Sequence, residues 1–191
     1  MTLVRPPLAQ VGDMIVREGP FTVAERDAIP EDGYRHELLD GVLLMSPAPR
    51  PRHQDIVREL LVLLNAAVPR ELKVYSAPFD VRLVDGSVLE PDVLVTRRSD
   101  LTETGIHVPP LLAVEVHSRS TKVYDLGPKK DLLEAAGCPS YWTIDPEQPE
   151  LTVWSLREGH YVETARVAAQ ETWTASEPFA VTITPMELLD L

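Results

Sequence analysis

The segment 111–116 most constrains how this chain can fold, because it is apolar at every position except Glu115. It begins after Pro109-Pro110. A continuous apolar run of this length is typical of a strand that is buried on both faces of a sheet. A carboxylate in such a strand is costly unless a cation or a hydrogen-bond donor compensates it. The segment therefore predicts a central buried strand that carries a polar site.

Two further acidic residues stand beside short apolar runs. Asp92 follows Pro91 and precedes the run 93–95, and Glu37 opens a hairpin just before the apolar pair 38–39. Each acid alone is more often a strand-end residue that pairs with an arginine. Three such acids in one compact domain favour a shared hydrophilic pocket, for which a divalent cation is the simplest compensation.

The helical period separates two neighbouring lysines. On a helix over residues 125–136, Lys129 shares a face with Leu133, whereas Lys130 groups with Glu134. We therefore expect Lys129 to point to the core or a cleft and Lys130 to point to water. A lysine on an apolar face can also extend its flexible side chain to the surface, so Lys129 alone is weak evidence for a site.

Strand alternation links a histidine to the first acid. Glu115 and His117 are two residues apart, so both side chains lie on one face of the sheet. We expect His117 to lie near whatever Glu115 binds, although a single histidine is more often a hydrogen-bonded core or rim residue. His53, at the start of a predicted helix, is interpreted as a structural or surface group.

Local signals divide the chain into alternating helices and strands. Thr22 and Glu25 fit a capping box for a short helix. Asp40-Gly41 and Asp85-Gly86 are typical hairpin turns between apolar runs. Helices are expected over 21–28, 53–68 and 125–136, and strands over 79–84, 88–95, 111–116, 141–144, 151–156, 160–165 and 179–183.

This order of elements predicts an α/β or α+β fold with a mixed sheet. We expect a single domain over residues 21–191, preceded by an arm or loop over residues 1–20 that is rich in proline. A length of 191 residues suffices for one buried core.

Composition narrows the class of protein. The single cysteine, Cys138, excludes an internal disulfide framework, so the reducing cytoplasm is the expected location. The sequence has no run of about 20 apolar residues that could span a membrane, and its first ten residues do not resemble a secretory signal. The formal net charge of −12 argues against a protein that coats nucleic acid through phosphate contacts.

Several motifs, taken in order, resemble the PD-(D/E)XK nuclease superfamily and, more closely, the Uma2 family of endonucleases. The resemblance covers roughly residues 21–165. Its best-fitting segments are Glu90 to Val95 and Val114-Glu115-Val116, the latter followed by Ser118, Ser120 and Thr121. The other matching segments are Tyr34 to Gly41, Met45 to Pro49, Arg52-His53-Gln54, Pro78 to Leu83, Tyr124 to Gly127 with Lys129, and Gly137-Cys138-Pro139 with Tyr141-Trp142.

The resemblance implies a restriction-endonuclease-like fold, with a mixed central β-sheet flanked by α-helices, and a homodimer. It also implies that Asp92, Glu115 and the backbone carbonyl of Val116 hold Mg²⁺ or Mn²⁺, and that Glu37 completes the site. The lysine that the superfamily places two residues after the second acid is replaced here by His117. In Uma2-like sequences the lysine comes from the next helix, where Lys129 matches it. Periodicity alone indicates the same lysine.

Two classes of function follow. The complete set of acids and lysine favours a metal-dependent endonuclease that hydrolyses phosphodiester bonds in DNA. In that reading Arg119 and Lys122, the basic residues nearest Glu115 in sequence, contact phosphate, and His117 assists at water or phosphate. The net charge favours the alternative, a nuclease-like fold with little or no catalysis that serves as a homodimeric binding module. A two-carboxylate glycosidase is a weaker third reading, because no platform of exposed aromatic residues is evident.

Overall fold

The computed structural model describes residues 8–11, 13–17 and 19–189. The α-helices are α1 (Val23–Asp27), α2 (Pro51–Ala67), α3 (Lys122–Asp125) and α4 (Pro128–Ala136). The strands are β1 (Leu8–Val11), β2 (Met14–Arg17), β3 (Arg35–Leu39), β4 (Val42–Ser46), β5 (Leu72–Ser76), β6 (Val81–Arg82), β7 (Val88–Leu89), β8 (Val93–Arg97), β9 (Leu101–Thr102), β10 (Gly105–Ile106), β11 (Leu112–Val116), β12 (Ser140–Asp145), β13 (Glu150–Arg157), β14 (His160–Ala168), β15 (Trp173–Ala175) and β16 (Val181–Ile183).

The strands form two large sheets and a small one. The first has the order β1-β2-β4-β3-β7-β6-β10-β9, the second β14-β13-β12-β11-β8-β5, and the third is the pair β15-β16. In the second sheet β11 runs parallel to β12 and antiparallel to β8. The fold is therefore α+β with a mixed central sheet, as the sequence predicts. None of the described helices has both the length and the apolar character needed to cross a membrane.

Strand alternation divides the core into two layers, and β11 contributes to both. Leu112, Val114 and Val116 pack with α2 on one side of the second sheet. Ala113 packs on the other side, in the layer that also holds Leu133 of α4 and residues of β3 and β4. Glu115 has the same parity as Ala113, so its side chain faces this second layer, between α4 and the first sheet.

The local turn and cap signals are confirmed. Thr22 and Glu25 form the capping box at the start of α1. β3 and β4 form a hairpin in which Asp40 and Gly41 both have positive φ, of 46° and 79°. Positive φ at both central residues is the geometry that favours Asp-Gly in a two-residue hairpin. β6 and β7 also pair antiparallel around the turn at Asp85-Gly86.

The structure differs from the sequence expectation most clearly in three segments. Residues 8–11 and 14–17, within the expected arm or loop over 1–20, form the antiparallel pair β1-β2, and β2 adds to β4 of the first sheet. Residues 1–7, 12 and 18 of that expected arm lie outside the described residues. The strand expected over residues 88–95 is broken at Pro91 into β7 and β8. The helix expected over residues 125–136 is divided at Leu126-Gly127 into α3 and α4.

Candidate active site

Pro91 places Asp92 where the chain leaves one sheet and enters the other. β7 pairs with β3 of the first sheet, whereas β8 pairs with β5 and β11 of the second. Proline cannot donate a ladder hydrogen bond, so a break between strands is where it is tolerated. Asp92, the residue just before β8, thereby reaches the first turn of α2 and the end of β11.

Asp92 is 3 % exposed, and both of its carboxylate oxygens are engaged. Oδ1 accepts a hydrogen bond of 2.7 Å from Arg35 Nη1. Oδ2 lies 3.0 Å from His53 Nε2 and accepts the backbone N–H of Val116 at 2.8 Å. Burial alone would raise the pKa of Asp92, but Arg35 and His53 outweigh burial and hold it well below its usual range.

Lys129 lies at the centre of the other carboxylates and is 1 % exposed. Its Nζ is 2.8 Å from Glu37, 3.1 Å from Glu115 and 3.5 Å from Asp125. Burial alone would lower the pKa of Lys129, but Glu115, Glu37 and Asp125 outweigh it and raise the pKa above the ordinary value. The ammonium therefore stays charged. The predicted inward direction of Lys129 is confirmed.

Glu115 responds in the opposite way to Asp92. Burial, followed by the nearby carboxylates of Asp92, Asp125 and Glu37, raises its pKa well above the usual range, although Lys129 opposes the shift. The difference arises because Asp92 is contacted closely by both Arg35 and His53, whereas Glu115 shares Lys129 with Glu37 and Asp125.

Glu37 joins the two halves of the site. Its Oε1 accepts the backbone N–H of Glu90 at 2.9 Å, and its Oε2 lies 2.8 Å from Lys129 Nζ and 3.8 Å from Arg35 Nη2. Glu37 and Arg35 share a face of β3 because they are two residues apart.

His117 lies just beyond the end of β11 and pairs with an acid of α3. Its Nδ1 is 3.1 Å from Asp125 Oδ2, and the Tyr141 hydroxyl donates a hydrogen bond of 2.8 Å to the backbone carbonyl of Asp125. His117 is therefore linked to Lys129 through one carboxylate, which agrees with its predicted place near Glu115.

A cleft of about 800 Å³ opens above this site. Asp92, Val116 and His117 line it, whereas Glu37, Glu115 and Lys129 lie behind them and are each 1 % exposed. The lining includes five permanently basic side chains: Arg35, Arg50, Arg52, Arg119 and Lys122. It includes four acids: Asp13, Asp92, Asp145 and Glu147. The cleft thus carries a small positive excess in a chain whose net charge is −12.

The two residues predicted to contact phosphate both line the cleft, and they differ in their surroundings. Arg119 is exposed. The Nζ of Lys122 is 2.7 Å from Asp145 Oδ2, so its charge is partly offset. Lys130, predicted to point to water, is half-buried, with its ammonium 3.9 Å from the ring centroid of Trp154.

The chemistry of the site fits a divalent cation. Four buried carboxylates are present: Glu37, Asp92, Glu115 and Asp125. In the fully ionised set with neutral histidines, Lys129 and Arg35 offset two of the four negative charges, and the raised pKa of Glu115 follows from the charge that remains uncompensated. Asp125 Oδ1 is also buried without a hydrogen bond in the described part of the chain. Carboxylate and carbonyl oxygens are the ligands that Mg²⁺ and Mn²⁺ prefer.

Basic side chains of the protein lie directly around these acids. Among residues 8–11, 13–17 and 19–189, no group of three or more His, Cys, Asp or Glu side chains has the arrangement of a formed metal site. A bound ion would exchange partners with Arg35, His53 or Lys129, since these groups contact the carboxylates at 2.7–3.1 Å.

Three members of the site are absent from the sequence-predicted set: Arg35, His53 and Asp125. Arg35 could have been found from its spacing, because it stands two residues before Glu37 and so shares its strand face. Asp125 stands four residues before Lys129, which is the spacing of neighbours on a helix surface. The sequence indicates only a structural or surface role for His53, because no local pattern shows that α2 presents this side chain to Asp92.

Comparisons with known proteins give a solved structure of similar fold and a matching family model. The fold is similar to that of a solved structure from Anabaena variabilis ATCC 29413, which is described as "a putative nuclease belonging to DUF820", with a TM-score of 0.74. That match has 20 % sequence identity and covers 90 % of this chain and 98 % of the other.

The family model Uma2, described as "Putative restriction endonuclease", matches residues 23–188, and the chain belongs to this family. No curated protein matches the sequence. The resemblance inferred from the motifs and the fold expected from it are therefore confirmed.

Proposed function

We propose that this chain is a metal-dependent endonuclease that hydrolyses phosphodiester bonds in DNA, with Mg²⁺ or Mn²⁺ held by Asp92, Glu115 and the backbone carbonyl of Val116. The observation that best supports the proposal is the charge balance. Four buried carboxylates and two permanent cations lie at and behind the floor of a cleft that carries a small positive excess. The family description and the nuclease-like fold point to the same class of reaction.

Each side chain has a role in this proposal. When bound, a divalent ion would lower the pKa of a water molecule and would neutralise charge on the reacting phosphoryl group. Lys129 orients Glu37 and Glu115 and contributes positive charge from behind the site. His117, held by Asp125, presents its ring at the cleft wall, where it binds water or a phosphate oxygen. Arg119 and Lys122 contact phosphates of the substrate at the rim.

A second candidate function is a homodimeric binding module with little or no catalysis. Both oxygens of Asp92 are satisfied by Arg35, His53 and the Val116 N–H, so the chain compensates this acid without any ion. The net charge of −12 favours the same reading.

Plasmid cleavage separates the two candidates. The wild type, Asp92→Asn and Asp100→Asn are incubated with supercoiled plasmid and Mg²⁺ or Mn²⁺. Asp100→Asn is a matched control, because Asp100 does not line the cleft. We expect the wild type and the control to nick the plasmid, and Asp92→Asn to do so at least about a hundredfold more slowly, the order of loss when one stabilising group leaves an active site.

Ion binding is measured on the same three proteins by calorimetry with Mn²⁺, and folding by thermal unfolding. Equal nicking by wild type and Asp92→Asn would show contamination and refute the nuclease. A folded wild type that neither nicks DNA nor binds Mn²⁺ would contradict the nuclease and favour the homodimeric binding module.

The homodimer and the cytoplasmic location belong to this proposal as well. The first rests on the family resemblance and the second on the single cysteine, Cys138, which is buried and unpaired. Light scattering coupled to size-exclusion chromatography tests the dimer, and a mass of one chain, 21.3 kDa, would contradict it.

A further inference from the structure

Tyr34 brings an aromatic ring to the wall of the cleft and is 38 % exposed. It directly precedes Arg35, whose guanidinium holds Asp92 at 2.7 Å. An exposed aromatic ring beside a basic groove is the arrangement on which unstacked bases of single-stranded nucleic acid bind. The function proposed above assigns no role to this ring.

The dimensions of the cleft favour one strand. Its volume of about 800 Å³ lies in the range of cavities that hold one small ligand, which corresponds to about one or two nucleotides of a single strand. Asp92 is 3 % exposed at the floor, so a phosphate that reaches it must descend between the walls. Prolines at 47, 49 and 78 contribute apolar surface to these walls.

The cleft is also open at one side, as a polymer requires. A second depression of about 300 Å³ shares His117, Lys122 and Asp145 with the cleft and continues across β12 and β13. Lys130, Arg166 and Glu150 line this continuation, and Arg166 is paired with Glu150 at 2.6 Å. A strand held at Asp92 can therefore leave the cleft along a surface to which Lys130 adds a basic group.

We propose that the substrate is single-stranded or locally unpaired DNA, with one base stacked on Tyr34 while the adjacent phosphate lies over Asp92. This inference rests on the proposed function and names its substrate class. Ring stacking tolerates any base, because every base has a π face. Recognition at Tyr34 is therefore expected to be largely independent of sequence.

The test is the affinity of the full chain for a labelled oligodeoxynucleotide of 20 nucleotides, as a single strand and as a blunt duplex of the same sequence, measured by fluorescence anisotropy. Ca²⁺ replaces Mg²⁺, since it takes oxygen ligands in a looser geometry, so that binding is read separately from cleavage. The variants are Tyr34→Phe, which keeps the ring, and Tyr34→Leu, which keeps an apolar side chain without it. Thermal unfolding checks that each variant is folded.

We expect the wild type to bind the single strand at least about tenfold more tightly than the duplex. Tyr34→Leu should weaken single-strand binding by about five- to 150-fold, the range for stacking of one base, and Tyr34→Phe should leave it nearly unchanged. Tighter binding of the duplex, or equal affinities of wild type and Tyr34→Leu for the single strand, would overturn the inference and leave the proposed endonuclease standing. Binding of neither form by the wild type would instead remove the proposed function.

Discussion

At the scale of single residues, the site depends on how cations are shared among acids. Arg35 and His53 both contact Asp92. Lys129 is shared by Glu37, Glu115 and Asp125, and Arg35 lies further from Glu37, at 3.8 Å. Removing one partner of a buried ion pair leaves an uncompensated charge, which is more costly than the pair is worth. The acids are therefore coupled, and a change at one alters the proton affinity of the others.

The pKa of Glu90, at the edge of the site, is raised in the same way as that of Glu115. It is 4 % exposed and lies 2.5 Å from Arg26. Burial and the neighbouring Glu37 outweigh Arg26 and raise the pKa of Glu90 to about 7. A native state that holds its proton more tightly than the unfolded chain is most favoured below the unfolded pKa, and this advantage is lost as the pH rises through the folded pKa.

We therefore predict that the wild type loses stability relative to Glu90→Gln between about pH 4.5 and pH 7. The loss amounts to about 3 kcal/mol, at about 1.4 kcal/mol for each pH unit between the two pKa values. Urea unfolding at several pH values measures it, with Glu103→Gln as a control for the loss of one exposed carboxylate. Parallel stability curves for wild type and Glu90→Gln would contradict the prediction.

At the scale of elements, two glycines with positive φ have different neighbours. Gly137 ends α4 with φ 84°, and nothing lies within 4 Å of a Cβ added there. Gly105 opens β10 with φ 120°, and an added Cβ would stand 2.2 Å from the backbone oxygen of Asp80. β10 also pairs with β6, so a shift at Gly105 would disturb the edge of the first sheet.

We predict that Gly137→Ala costs about 1 kcal/mol of unfolding free energy, because only the left-handed conformation is penalised. Gly105→Ala should cost at least about twice as much, since the backbone of Asp80 must move as well. Chemical denaturation of the two variants against the wild type measures both values. A smaller loss for Gly105→Ala than for Gly137→Ala would contradict the packing at β10.

At the scale of the whole molecule, a net charge of −12 must be reconciled with a nucleic acid partner. The cleft resolves part of this conflict, because its lining carries more basic than acidic side chains although the chain as a whole is acidic. Nucleic acid binding should therefore depend on a few rim contacts and weaken steeply with salt. Each phosphate contact to a single strand contributes about 0.7 to the slope of log K against log salt concentration.

We predict that Arg119→Ala lowers this slope by about 0.7 and that Lys122→Ala lowers it by less, because Asp145 already pairs with Lys122 at 2.7 Å. Anisotropy titrations of the single-stranded oligonucleotide at several salt concentrations measure the slopes. Arg97→Ala is the matched control, since Arg97 is exposed and does not line the cleft. Unchanged slopes in both cleft variants would remove these two residues from the interface.

Sequence patterns predicted correctly those features that depend on near neighbours in the chain. Capping, hairpin turns and periodicity depend on residues within four positions, so they predicted α1, the turn at Asp40-Gly41 and the inward direction of Lys129. The strand over residues 111–116 follows from its apolar composition alone. The motif series identified the family, which the family model confirms.

The pairing of each cation with its acid, in contrast, follows from tertiary packing. Arg35 and His53 are 57 and 39 positions from Asp92 in the chain, and they reach it because β3 and α2 pack around the break at Pro91. No periodicity extends over such separations, since the contacts depend on how two sheets and a helix fit together. The same packing recesses Glu115 and Lys129 behind Asp92 and shapes the cleft beside Tyr34, which a linear pattern of residues cannot specify.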